Sequence, residues 1–423
     1  MLFRSQVMIH KPGPEVDFMV PDMMEELLFD DILSGELARA EHDVFRRVLE
    51  LVAEEVLDIQ DLFVEALADE AVKLALIEDF RRLVELPEET VRLLRDLPPA
   101  AVAEGLITGI PWDDDLEHAN WQKKSFEYRV KPVPNLLFMR DPAAVVGDGY
   151  NVNFMATWAR EREPLILSYV FRHHPRLCHL KESARRFDQI TPLLDGRLRM
   201  PLSLEGGDTL VLSDKVLAVG CSERTSVDAI HLLAGNLRDA FRKGESRFET
   251  LLMVLMPKVR SAMHLDTIFT RISRDECLIY PPFFTDRSRE LLNVVKFDLR
   301  HENLHTSVEA NLLRALRHEG IDLRPILCGG TNPILQQREQ WTDGANAFAL
   351  APGVILLYSR NLATADELSD AGYRVLGAGP LLADRAQELL DGGKYAILLD
   401  SAELSRARGG PRCMTMPLSR TSG

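Results

Sequence analysis

Apolar residues recur along this chain in two periods, and the alternation between them predicts an α/β protein. Val7-Met8-Ile9-His10 reads as a short strand closed by Lys11-Pro12-Gly13-Pro14. From Ala38 to Glu55, Phe45, Val48, Leu49 and Val52 fall at helical spacing, and Val56 to Ile59 reads as a second strand. From Gln60 to about Tyr128 the pattern is helical throughout, with faces such as Leu76, Ile77, Phe80, Leu83 and Val84, broken by Pro87 and by Pro98-Pro99. This block, residues 60–128, is read as an all-helical subdomain inserted into the first α/β unit, leaving residues 1–59 and 129–423 as the main domain.

After Tyr128 one plan repeats four times: an apolar strand with an acid at or near its end, a tight turn, a second apolar strand, then a helix. The acids are Asp141, Asp208, Asp266 and Asp343, and the turns fall at Gly147-Asp148-Gly149, Ser213-Asp214-Lys215, Ser273-Arg274-Asp275 and Ala351-Pro352-Gly353. With the interrupted first unit this makes five modules. Modules that cannot each bury a sheet face alone stack around a common centre, so the acids are expected to converge on one cavity. Taken singly, each acid could equally cap a turn.

Composition narrows the class. With 46% hydrophobic residues in 423, the chain can bury a sizeable core, which excludes a disordered polypeptide. Its 65 Asp and Glu against 50 Lys and Arg leave a net charge of −15, so no nucleic-acid face is expected and a small cationic substrate suits the field better. No apolar run, Leu251 to Met256 included, approaches the ~20 residues that cross a bilayer. Met1 to Pro12 carries Arg4 and Lys11 and lacks the apolar stretch of a secretory signal, so a cytoplasmic location without a membrane partner is expected. Cys178, Cys221, Cys277, Cys328 and Cys413 are odd in number and widely spaced, which favours reduced thiols over a disulfide framework. Self-association as a homo-oligomer is left open.

Six motifs then follow one another: Pro134-Asn135-Leu136-Leu137-Phe138-Met139-Arg140-Asp141, Leu204-Glu205-Gly206-Gly207-Asp208, Ser222-Glu223-Arg224-Thr225-Ser226, Met263-His264-Leu265-Asp266-Thr267, Arg338-Glu339-Gln340-Trp341-Thr342-Asp343-Gly344 and Arg408-Gly409-Gly410-Pro411-Arg412-Cys413-Met414. Together with Glu25-Glu26-Leu27-Leu28-Phe29-Asp30-Asp31 they span nearly the whole chain, and in this order the sequence resembles the arginine deiminase family of the guanidine-modifying (pentein) superfamily. The resemblance implies an α/β fold, a five-module pseudo-symmetric α/β propeller with an inserted helical subdomain. It also implies hydrolysis of L-arginine to L-citrulline and ammonia through a covalent thiouronium, with neither cofactor nor metal.

The chemistry of the residues agrees. A guanidinium carbon is poorly electrophilic because its charge is delocalised, so attack needs a soft nucleophile and groups that hold the cation. Cys413 is the candidate: a thiolate is strongly nucleophilic, and the Gly-Gly pair before it lets backbone approach closely. Cys178, Cys221 and Cys277 are read as buried small hydrophobes. Two carboxylates on opposite sides of a planar guanidinium would orient it, and the resemblance assigns these to Asp141 and Asp266. His264, two residues before Asp266, would share its face if the segment is a strand. It would protonate departing ammonia and then deprotonate the resolving water, with Glu205 orienting the imidazole. By resemblance Arg160 and Arg224 bind the substrate carboxylate, Asn135 is a polar partner, and Arg408 is a mobile arginine on the nucleophile loop.

An amidinotransferase, a hydrolase of agmatine or methylated arginine, and a non-catalytic arginine-binding relative would share most of these residues. His301-Glu302-Asn303-Leu304-His305 matches a zinc-peptidase pattern, but Thr306-Ser307-Val308-Glu309 reads as a capping box, so the helix is expected to begin after the histidines. His173, His174, Cys178 and His179 read as a surface loop beside Pro175. Gly147-Asp148-Gly149 has Val152 where a nucleotide motif needs its third glycine. Met23 and Thr331-Asn332 depart from the family pattern at the rim.

Overall fold

A computed structural model describes residues 2–112, 128–147, 149–178, 202–284, 292–385, 389 and 392–422. The opening strand, Leu2–Ile9, is the centre of a three-stranded sheet. It pairs parallel with Glu55–Asp58 and antiparallel with Met416–Ser422, so the two ends of the chain meet in one sheet. The helix between the first two strands runs Gly35–Glu50, earlier at both ends than its apolar spacing predicts. It stops because residues 51–54 must turn the chain back into parallel register with the first strand. Asp58 closes the second strand and caps the next helix, its carboxylate accepting Gln60 N–H at 3.0 Å; Ile59 is therefore helical and not part of the strand.

The helical block comprises Ile59–Ala66, Glu70–Val84, Glu88–Asp96 and Pro99–Thr108. It ends at Gly109, whose φ of 88° is open to glycine, and Ile110–Pro111 then pairs with Tyr128–Val130. The helical reading thus fails beyond Thr108, and residues 113–127 lie outside the described chain. Leu76, Ile77, Phe80 and Leu94 pack in one core with Leu136, Met139, Tyr150 and Phe171, so the block leans on the first repeat and does not close a core of its own.

The repeat is present in altered form. Each acid precedes an antiparallel hairpin: Ala143–Val146 with Gly149–Val152, Thr209–Val211 with Val216–Cys221, Phe269–Arg271 with Glu276–Ile279, and Phe348–Ala351 with Val354–Tyr358. The acid-bearing stretches are not strands. Pro134–Leu137, Gly206–Asp208 and Leu265–Thr267 are single 3₁₀ turns, and Asp343 follows the helix Pro333–Trp341. These segments are buried on every side, so their apolar run carries no period that separates strand from turn. Helices Arg162–His173, Val227–Arg242 and Leu362–Asp370 follow three of the hairpins. The third hairpin leads instead to the turn Pro281–Phe283 and, past residues 285–291, to the strand Val294–Asp298.

The larger sheets are mixed. One runs His305–Glu309, Val294–Asp298, Thr250–Leu255, Val216–Cys221, Thr209–Val211; another runs Phe348–Ala351, Val354–Tyr358, Tyr395–Leu399, Arg374–Gly377; a third joins Phe269–Arg271, Glu276–Ile279 and Arg324–Leu327. No described helix is long and apolar enough to cross a membrane.

Candidate active site

The turns that precede the hairpins, together with the loop before the last strand, surround a cleft of about 600 Å³. Asn135, Asp141, Arg160, Arg224, His264, Arg408 and Cys413 line it. Glu205 and Asp266, the other two predicted residues, stand fully buried behind it. Two of the four repeat acids, Asp141 and Asp343, reach the cleft; Asp266 lies behind it, and Asp208 accepts Leu265 N–H at 2.8 Å and the Ser222 hydroxyl at 2.6 Å, bracing the turns that carry His264 and Arg224.

His264 has extended backbone, φ −134° and ψ 156°, and leads into the 3₁₀ turn that holds Asp266. The two residues therefore do not share a strand face; the turn brings both to the reacting centre. The imidazole lies between two carboxylates, Nε2 at 2.8 Å from Glu205 Oε2 and Nδ1 at 3.8 Å from Asp141 Oδ1. Glu205 is held in turn by Ala156 N–H at 3.0 Å. Burial alone would lower the His264 pKa, but Asp141 and the Glu205 hydrogen bond raise it to about 10, while His264 and Arg224 overcome the burial of Glu205 and draw it down to about 2. His264 is thus an imidazolium at neutral pH. Because its folded pKa lies above the ordinary 6.5, its contribution to stability is complete below pH 6.5 and is lost as pH rises through about 10. Thermal melts are expected to show wild type losing more of its midpoint over that window than His264→Gln does.

Donor atoms of Asp141, Glu205 and His264 lie within 4.8 Å of one another, the one trio of metal-ligand type found among the described residues. The two ring nitrogens point at different carboxylates, which is the geometry of a hydrogen-bonded ion triad and not of three donors converging on one ion.

The glycines of the second motif make this packing possible. A Cβ on Gly206 would stand 1.9 Å from the Arg140 carbonyl oxygen, and one on Gly207 would stand 2.5 Å from His264 Nδ1. Gly207→Ala is expected to displace the imidazole and lower kcat by about 10- to 100-fold, measured as turnover at saturating substrate.

Cys413 is 6% exposed. The Gly-Gly pair before it is needed sterically: a Cβ on Gly409 would meet the Phe138 ring at 2.3 Å, and one on Gly410 the Asn346 side chain at 2.7 Å. Arg140 N–H donates to the Cys413 carbonyl at 3.0 Å, and the Arg140 guanidinium holds Arg412 O and Thr415 Oγ1 at 3.2 and 3.1 Å. Burial first, then Asp266, Asp141 and Asp343, push the thiol well above the usual range, with Arg140 opposing them. Asp266 Oδ2 accepts from Arg412 Nε at 3.3 Å, whereas Oδ1 finds no partner among the described residues. Of the other cysteines, Cys221, Cys277 and Cys328 are buried. Cys178 is exposed, contrary to its reading as a core residue, because its turn lies past the end of the helix Arg162–His173.

The cationic residues divide. Arg160 forks onto Glu163 and reaches Asp141 Oδ2 at 2.7 Å and the Asn135 carbonyl at 3.3 Å, so it is tied to the carboxylate it borders. Glu163, fully buried, is the partner that the motifs did not reveal; its only sequence signal is the i,i+3 spacing from Arg160. Arg224 lines the cleft with Nε unpartnered among the described residues, 3.9 Å from Glu205 through Nη1. Asn135 Nδ2 donates to the Leu27 carbonyl at 2.6 Å. Arg408 has φ 61° and lays its guanidinium 3.4 Å from the centroid of the Trp341 ring.

The zinc pattern keeps its outcome, since the helix does begin after the histidines, whereas the capping box and the surface loop were misread. His305–Glu309 is a strand, and the helix Leu312–His318 is capped by Asn311, which accepts Arg314 N–H at 2.8 Å. The supposed capping box is therefore sheet, its hydroxyls facing outward, although the zinc-pattern histidines still share no helix. His174 is buried, with Nε2 at 2.9 Å from Glu65, and so is not surface loop; His179 lies outside the described residues.

The family model for arginine deiminase matches residues 25–420. The arginine deiminase of Limosilactobacillus fermentum is 35% identical over 433 residues, covering 98% of this chain and 95% of that one. The arginine deiminase of Oenococcus oeni is 34% identical, covering 98% and 94%. Among solved structures, AgrE with ornithine and NAD+ superposes with a TM-score of 0.51 at 13% identity, covering 99% of this chain and 40% of that one. DDAH from Pseudomonas aeruginosa complexed with citrulline gives 0.50 at 13% identity, covering 99% and 100%. At that identity the likeness is one of fold.

Proposed function

The chain belongs to the arginine deiminase family, and from that premise we propose that it hydrolyses L-arginine to L-citrulline and ammonia with Cys413 as the nucleophile. The observation that carries the reading is that a buried thiol and an imidazolium line one cleft, with Asp266 and Asp141 acting on both. A guanidinium entering between those carboxylates offsets the negative field that keeps the thiol protonated, so the substrate itself favours the nucleophilic thiolate.

The sulfur pair then forms a bond to the guanidinium carbon, and the tetrahedral adduct breaks one C–N bond. His264 passes its proton to the departing nitrogen, which leaves as ammonia, and a thiouronium remains on Cys413. Neutral His264, held by Glu205, takes a proton from water as its oxygen attacks the same carbon. Collapse breaks the C–S bond and restores the sulfur pair to Cys413, while the hydroxyl proton passes to ammonia as the carbonyl forms, giving ammonium and citrulline. Asp141 and Asp266 hold the planar cation through both halves.

Arg224 supplies the positive charge for the substrate carboxylate, with Arg160 shared between that group and Asp141. Arg224→Ala is expected to raise KM for arginine by about 10- to 100-fold, the worth of a charge-assisted hydrogen bond. Agmatine, which has no carboxylate, is expected to be turned over by wild type and variant with nearly equal efficiency; a parallel loss on agmatine would show that Arg224 acts elsewhere.

We read the four sheets of three or more strands, together with the hairpin Ala143–Val146 with Gly149–Val152, as modules of a pseudo-symmetric propeller, residues 1–59 and 129–423, with residues 60–128 as its helical insertion. The support is the pairing of the last strand with the first, and the arrival of two repeat acids, Asp141 and Asp343, at one cleft. Five free cysteines, one of them exposed, suit a reducing compartment, so we place the enzyme in the cytoplasm.

A further inference from the structure

Asn346 has no assigned role in the motifs, yet its side chain is fully buried between the two halves of the reacting centre. Its Nδ2 donates to the backbone carbonyl of Asp266 at 3.1 Å, and its Oδ1 accepts the backbone N–H of Cys413 at 3.1 Å. Its own carbonyl accepts Arg412 N–H at 3.4 Å. One carboxamide thus joins the turn that carries a guanidinium-binding carboxylate to the loop that carries the nucleophile.

The segment that delivers Asn346 is built for close contact. Gly344 N–H returns to the Glu339 carbonyl at 2.7 Å, Asp343 takes φ 63°, a costly conformation for a residue with a Cβ, and Asn346 N–H then closes on the Asp343 carbonyl at 2.9 Å. A Cβ on Gly344 would stand 2.8 Å from Cys328 Sγ, so the turn admits no larger residue without movement. Buried main-chain donors need partners, and for Cys413 N–H that partner is the Asn346 side chain.

We infer that Asn346 is a positioning residue: it sets Cys413 against Asp266, and hence against the carbon between them, without touching substrate. The inference rests on the reading of Cys413 as nucleophile. A displacement of ~1 Å in a reacting pair is enough to cost ~100-fold in rate, and here two backbone anchors depend on one side chain.

Asn346→Asp provides the test, because it preserves shape while making the donor titratable. A protonated carboxyl can still donate to Asp266 O and accept from Cys413 N–H, whereas a carboxylate meets Asp266 O with repulsion. Its kcat relative to wild type is expected to fall progressively as pH rises from about 5 to about 8, with KM for arginine changed less than about threefold. Asn346→Ala is expected to lose about 30- to 100-fold in kcat at a ratio to wild type that does not vary with pH. Should the alanine variant fail to fold, the aspartate profile decides alone. A pH-independent Asn346→Asp ratio, or a loss confined to KM, overturns the inference. Wild type that makes no citrulline would sink the deiminase reading separately. Alkylation of Cys413 by iodoacetamide then carries the same comparison: pH-dependent divergence between wild type and Asn346→Asp supports the role, and coincident profiles refute it.

Discussion

Cys413→Ser is expected to stop citrulline formation, with kcat lower by about 10⁴-fold or more, while arginine still binds. The size of the effect follows from the electrostatics of the cleft. Burial, and after it three carboxylates, already push the thiol well above its usual range, and a hydroxyl starts far higher still. A serine nucleophile would need a general base, but His264, raised to about 10, is an imidazolium and has no free electron pair for that proton. Substrate charge can bring a thiol within reach of ionisation; it cannot do the same for an alcohol. The measurement is a mass-spectrometric assay scoring citrulline and ammonia together for both proteins. A serine variant as active as wild type would show that the covalent route through this residue is wrong.

The second large effect concerns Asp266→Asn, for which two observables are expected to move in opposite directions. Turnover should fall by about 10³-fold, because the guanidinium loses one of its two orienting charges and Arg412 and Arg140 lose their nearby counter-ion. Yet Asp266 is also the first of the charges that hold the Cys413 thiol protonated. Removing it should lower that pKa and make the thiol react faster with a neutral alkylating reagent at neutral pH, provided Asn346 still anchors the turn. A slower enzyme with a more reactive cysteine separates substrate positioning from thiol activation. Equal slowing of both would mean that the turn has simply collapsed, and near-normal turnover would mean that the substrate lies elsewhere.

How far the sequence could be read depended on what each residue does. The hairpins were legible from the turn residues between their strands, and the helices Gly35–Glu50, Glu70–Val84 and Val227–Arg242 because one face is apolar and the period survives in the order of residues. The zinc-pattern segment was misread near its end because Thr306-Ser307-Val308-Glu309 is compatible with both a helix cap and an exposed edge strand, and only pairing with Val294–Asp298 decides between them. The strand assigned to Met263–Asp266 failed for the same reason in reverse: inside a core, apolar residues on all sides erase the period.

At the site the division is sharper. The resemblance of the motifs to a known family named the thiol, the imidazole and the paired acids, and the chemistry of a delocalised cation agrees with those residue types. What the order of residues could not state is which of two chemically similar groups is engaged and by what. Arg160 and Arg224 looked alike as anion binders, but the first is clamped on Glu163 and Asp141 while the second keeps an unpartnered nitrogen at the cleft. Arg412 and Asn346, whose partners Asp266 and Cys413 lie 146 and 67 residues away, left no local signal at all. Covalent chemistry and local periodicity are properties of neighbours in the chain and so were determined by the sequence itself. Charge pairing, burial and the distance from sulfur to carboxylate are properties of neighbours in space, which exist only once the first and last strands have met.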